Sequence, residues 1–170
     1  MYFFIRRRVF LARYFEYPSI SDNTFQNAKN FDIVVTMFKT NTGTTLRDDR
    51  MELSKMISGF TVDRNSKLLV VLDNPFFEDF KSPRRVKHPQ IVPIPRESQV
   101  LSEEVRLDWV EVAGSEVKFF DTFDDLCSES ECWVEKNGKV LYVDNNHLSM
   151  PGVRLLEPSL IALVAQILDK

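Results

Sequence analysis

Two nearly unbroken apolar runs constrain this chain more than any other feature: Phe31-Asp-Ile-Val-Val-Thr-Met-Phe38 and Lys67-Leu-Leu-Val-Val-Leu-Asp73. Neither shows the apolar–polar alternation of a strand with one wet face. The first is nearly continuous in apolar residues, as a strand covered on both faces should be, and the second is the clearest strand in the chain. Val9-Phe-Leu-Ala-Arg-Tyr-Phe15 and Val117-Lys-Phe-Phe120 read as two further strands. Between the strands, Thr44 to Phe60 reads as a helix: Leu46, Leu53, Ile57 and Phe60 share a face, Asp48 and Asp49 sit in the first turn, and Gly59 lies near the end. A second helix is expected over about Ser98 to Val112. A closing helix is marked by Leu160, Ile161, Val164, Ile167 and Leu168, with Pro158 near its start. Strands alternating with helices imply an α/β fold built on a mostly parallel sheet.

The punctuation is equally informative. Asn74-Pro75 stops the clearest strand. From Phe76 to Pro95 periodicity is lost, and Pro83, Pro89, Pro93 and Pro95 force extended geometry, so this segment reads as a surface excursion. Cys132 to Val143 alternates around Asn137-Gly138, the strongest short hairpin signal a sequence can carry.

Composition narrows the function. With 170 residues the chain suits one domain, 1–170. Its 22 Lys and Arg against 25 Asp and Glu give a net charge of −3, which speaks against a general nucleic-acid binder. No run of about 18 apolar residues is present, so no bilayer span is expected. At the amino terminus the apolar Met1 to Ile5 precedes Arg6-Arg7-Arg8, the reverse of a secretory signal, so none is read. Arg6 to Arg8 and the patch Pro83-Arg-Arg-Val-Lys-His88 read as solvated surface; His88 has no acidic partner nearby in sequence and receives no catalytic role. Trp109 and Trp133 read as packing residues.

The segment with most chemical content is Val143-Asp-Asn-Asn-His-Leu-Ser-Met-Pro-Gly152. It follows a strand and precedes a helix, where α/β proteins place working residues. Asp144 and His147 are three apart, so a single turn can bring both to one rim. A carboxylate beside an imidazole fixes its tautomer and stabilises the imidazolium formed on proton uptake. His147 is thus a candidate general base with Asp144 as its orienter. The alternative is a purely structural turn in which Asp144 caps the next segment of chain.

This block, preceded by Cys127 and Cys132, resembles the last block of the SGNH hydrolases, and more narrowly the SGNH domain attached to the acyltransferase-3 family of membrane O-acyltransferases. In that domain a strand leads to a Cys pair, a short hairpin, D-x-x-H-L-S-x-x-G and a final helix. Phe31 to Val35 resembles its third strand and Lys67 to Pro75 its fourth, so the likeness runs from about Phe25 to Lys170. It implies a flavodoxin-like three-layer sandwich and acyl transfer or ester hydrolysis through a Ser-His-Asp triad, without cofactor or metal. It also implies an acyl donor and acceptor as partners, a membrane acyltransferase domain in full-length relatives, an extracellular or lumenal setting, and a Cys127–Cys132 disulfide. Two free thiols, a thiol-based activity and a zinc site using both Cys with Asp144 and His147 are the other readings of that pair.

The sequence departs from the family where the nucleophile belongs. No G-D-S occurs. Ser58 lies in an expected helix, Ser115 precedes a strand, and Ser149 is too close to His147 along the backbone. Asn41 is only a positional candidate for the oxyanion hole. A base with nothing to deprotonate forms no acyl-enzyme. The expectation is therefore an incomplete SGNH domain with little or no activity, either a fragment of a larger membrane acyltransferase or a non-catalytic interaction remnant. Its sheet would lack a central strand unless Val9 to Phe15 fills the gap.

Overall fold

The computed structural model describes residues 9–13, 32–37, 67–77, 90–114 and 117–169. The expected helix from Thr44 to Phe60, and with it Asn41, Ser58, His88 and Ser115, lies outside these residues.

The apolar runs form a parallel sheet. β1 (Val9–Arg13), β2 (Ile33–Met37), β3 (Lys67–Val71) and β5 (Val117–Phe120) are adjacent in that order, every pair parallel. Val9 pairs with Ile33, Ile33 with Lys67, and Leu68 with Val117. The segment from Val9 thus takes a place beside β2. In β3 the four residues after Lys67 are all buried, which is why the run shows no alternation. Leu69 and Val71 join Ile33, Val35 and Phe120 in the main core, while Leu68 and Val70 are buried outside that cluster.

α1 (Arg96–Ala113) packs on β5 and buries Val105 and Trp109. Pro95 sets its start, since a proline excludes α geometry from the residue before it, and Gly114 at φ 62° ends it. Arg106 fastens this helix to the next connection. Its guanidinium lies 2.7 Å from Asp121 and 3.2 Å from Glu103, and 5.2 Å from the centre of the Phe119 ring. Asp121 in turn accepts from the Phe123 N–H at the start of the short α2 (Phe123–Leu126).

Two expectations are corrected. The proline-rich segment is not all surface excursion: β4 (Ile91–Pro93) pairs antiparallel with β6 (Glu131–Trp133), Val92 against Cys132. Phe77, at the beginning of the same segment, is buried and meets Tyr142 edge to face, with ring centres 5.1 Å apart. Prolines tolerate such an edge, where a missing N–H faces away from the ladder. The closing helix α3 (Met150–Leu168) also begins well before Pro158, which lies inside it. Ser149 caps it, and Pro151 occupies its first turn, where no N–H is needed.

α3 is long and apolar enough, by length and composition alone, to cross a membrane, although two charged residues, Arg154 and Glu157, interrupt its apolar run. Leu156 and Ile167 are nonetheless part of the buried core, with Leu155, Leu160, Leu163, Val164 and Leu168 packed against it.

The hairpin forms as expected. β7 (Glu135–Lys136) and β8 (Lys139–Val140) flank Asn137 at φ 53° and Gly138 at φ 71°, the paired positive angles of a type I′ turn. From β8 the chain passes through Leu141 into the segment of interest. Gly152 is required by its opposite neighbour: a Cβ there would fall on the Leu141 carbonyl oxygen and crowd Leu148. Gly152→Ala should therefore destabilise the domain by about 2 kcal/mol, a typical overpacking penalty, lowering Tm by roughly 4–8 °C for a chain of this size. Thermal unfolding followed by circular dichroism checks this; an unchanged Tm would show that α3 can slide off Leu141 freely.

Candidate functional site

Residues 143–147 form a closed turn. The Val143 N–H donates to the His147 carbonyl at 2.8 Å, and Tyr142 and Leu148 bridge as an antiparallel pair just outside it. Below them the Ser149 N–H donates to the Leu141 carbonyl, and the Ser149 hydroxyl donates to the Val140 carbonyl at 2.6 Å. That hydroxyl also accepts from the Gly152 N–H at 3.3 Å. Ser149 thus works as a cap and gives its proton to the backbone.

Inside the turn Asp144 is the organiser. Its Oδ1 accepts from the N–H groups of His147 at 2.7 Å and Asn146 at 3.0 Å. The His147 ring then folds back so that Nδ1 lies 2.8 Å from Oδ2 and 3.1 Å from Oδ1. An ionised carboxylate can only accept, so Nδ1 carries the proton and Nε2 is the free basic nitrogen of the neutral ring. The two predicted residues are together, on one rim, as the three-residue spacing required. Both are open to solvent, with side-chain exposures of 61% for His147 and 44% for Asp144.

Partial burial alone would push the Asp144 carboxyl up. The two backbone N–H donors and the His147 ring outweigh it and hold the group below its ordinary value of 3.8. Beneath the rim, Tyr142 is fully buried; burial first, and then the Asp73 carboxylate, push its phenol above the usual tyrosine range, so it stays neutral.

Cys127 and Cys132 are joined in a disulfide. This leaves neither sulfur as a thiolate, which removes the free-thiol, thiol-chemistry and zinc readings of the pair. The bridge ties the end of α2 to β6, and the two residues also pair across an isolated antiparallel bridge. Trp133, on the same strand, lies under the Lys136 ammonium at 5.4 Å, a hairpin packing contact.

With this geometry in hand, comparison with known families is decisive. The SGNH domain that is fused to AT3 domains matches residues 5–162. The chain belongs to that family. The match begins ahead of β1, some twenty residues before the likeness visible from Phe25 onward, and it takes in the Cys pair, the hairpin, the Asp144–His147 turn and most of α3. An SGNH domain of this kind is acyltransferase- or esterase-like, and its fusion to AT3 domains fits a membrane acyltransferase domain in full-length relatives. No curated protein matches the chain.

One contributor was missed by sequence reasoning. Asn146, between the two expected residues, is buried, and its side chain reaches the segment just past β3. Nothing in its local spacing announces this, because its partners lie more than seventy positions away.

The depressed Asp144 carboxyl sets a pH dependence. A group whose folded-state value is lowered contributes stability that is fully present above the unfolded-state value, near 4, and fades as pH falls through the folded-state value. The stability difference between the protein and Asp144→Asn should thus hold steady down to about pH 5 and close progressively as pH falls below about 4. Denaturant titrations of both proteins across this range check it; a gap that widens toward acid would reverse the assignment.

Proposed function

We propose that Asp144 and His147 are the orienter and general base of a Ser-His-Asp acyl-transfer site. Such a site serves O-acyl transfer from a donor to an acceptor, or hydrolysis of the ester. The carrying observation is the 2.8 Å contact between His147 Nδ1 and Asp144, which leaves Nε2 as an accessible base. The reaction it would support begins when a serine hydroxyl gives its proton to Nε2 as its oxygen attacks an acyl carbonyl. Asp144 then stabilises the imidazolium until the proton passes to the leaving group.

The nucleophile is not supplied by a G-D-S motif in these 170 residues. By themselves they are therefore read as catalytically incomplete, the base half of a device whose other half must come from a strand carrying the nucleophile. A three-layer flavodoxin-like arrangement goes with this reading, supported by a β3 buried on both faces. An extracytoplasmic setting goes with it too, supported by the disulfide. Full-length relatives would present the site to an acyl group handled by their membrane domain.

Two measurements test this. On the purified chain a serine-directed fluorophosphonate probe should fail to label, and His147→Ala should leave turnover of an activated ester within about twofold, since a base without a nucleophile adds little. Labelling of any serine would overturn the incompleteness. In a polypeptide that carries a G-D-S strand ahead of this segment, His147→Ala and Asp144→Asn should each cut acyl transfer by on the order of 10³–10⁴. Undiminished transfer in both variants would overturn the assignment of the pair.

A further inference from the structure

The turn that carries His147 is attached to the sheet through its neighbour. Asn146 is 6% exposed. Its Nδ2 donates to the Asn74 carbonyl at 3.3 Å and lies 3.5 Å from Asp73 Oδ1, while its own carbonyl accepts from Asn74 Nδ2 at 3.3 Å. One residue earlier, the Asn145 carbonyl accepts from the Phe77 N–H at 2.9 Å. Asp73, itself buried, is held in turn: its Oδ1 accepts from the Asn74 N–H and its carbonyl from the Thr122 hydroxyl, both at 2.9 Å. The Asn146 N–H meanwhile donates to Asp144 Oδ1. A single buried residue thus touches the carboxyl end of β3 with its side chain and the Asp144 carboxylate with its backbone.

We propose that Asn146 is the positioning residue of the Asp144–His147 pair. By fixing the turn against Asp73 and Asn74 it aims the Asp144 carboxylate so that His147 holds its proton on Nδ1 and keeps Nε2 free. A primary amide suits the place because the site needs a donor toward a carboxylate and a backbone carbonyl. A carboxyl in its place would set two acids about 3.5 Å apart in a buried setting, where like charges cannot both ionise. The usefulness of this arrangement rests on the acyl-transfer reading, but the effect on the ring does not: it operates with or without a nucleophile.

The test reads the ring directly. In the ¹⁵N-histidine-labelled chain at mildly alkaline pH, long-range ¹H–¹⁵N spectra report the tautomer of His147, identified by loss of its signals in His147→Ala. The protein should show the Nδ1–H form in excess. Asn146→Ala should lower the ratio of Nδ1–H to Nε2–H by about fivefold or more, while far-UV circular dichroism stays that of a folded chain. Asn146→Asp should do the same, and combining it with Asp73→Asn, which exchanges donor and acceptor, should restore much of the ratio. A folded Asn146→Ala with the original ratio overturns the proposal. If that variant fails to fold, Asn74→Ala, which removes one donor only, decides it: a smaller shift in the same direction supports the role, and an unchanged ratio overturns it. Failure of the acyl-transfer reading would appear in labelling and turnover, and would leave this spectrum unaltered.

Discussion

Three pieces of chain converge on the Leu141 carbonyl. The hairpin delivers it, the Ser149 N–H donates to it, and the first turn of α3 passes so close that only glycine fits at position 152. Because the strand leading in and the helix leading out are pinned together there, the residues between them have no choice but to close into a small loop. The bridge between Tyr142 and Leu148 and the bond from Val143 to His147 follow from that pinning. In the run from Asp144 to Gly152, the serine and glycine are the hinge that makes the loop, and the aspartate and histidine are the residues the loop displays.

This division explains which parts could be read from the sequence. The parallel strands were legible because strands buried on both faces lose alternation, and Leu68 to Val71 are all buried. The type I′ turn was legible because Asn-Gly accepts two positive φ angles at low cost. The Asp144–His147 contact was legible because it lies within one turn. The features that escaped were non-local or masked by a competing local signal. β4 was hidden by its prolines and exists because β6, nearly forty positions later, offers it a partner. The start of α3 was hidden by Pro158, which reads as a helix start but is accommodated inside a helix already begun at Ser149 and Pro151. The role of Asn146 was hidden because a buried asparagine is legible only from the groups that satisfy it.

The electrostatics of the pair suit a base that must remain available. Asp144 stays ionised because it is supplied with N–H donors, two from the backbone and one from the ring, and its negative charge is what would stabilise a protonated His147. The ring is mostly exposed, so a proton can reach Nε2 without a buried path. Exposure also limits the gain: a solvent-facing imidazole–carboxylate pair in high dielectric contributes far less to a transition state than the same pair in a dry cleft. In the proposed acyl-transfer site, full use of the pair would therefore depend on cover over the rim from the nucleophile strand and the acyl group.

A D-x-x-H turn by itself makes a carboxylate–imidazole contact anywhere it folds, since every bond that defines the pair spans three residues or fewer. What separates a site from a decorated loop is where that contact is set down. Here the buried amide of Asn146 sets it at Asp73 and Asn74, immediately past the carboxyl end of β3, and the Asn145–Phe77 bond repeats the attachment. Ligands of open parallel sheets are received at those carboxyl ends, because the loops there converge while helices occupy the faces. The local motif supplies the chemistry and the distant contact supplies the address, so a chain that kept the first and lost the second would still show the pair and would have nowhere to use it.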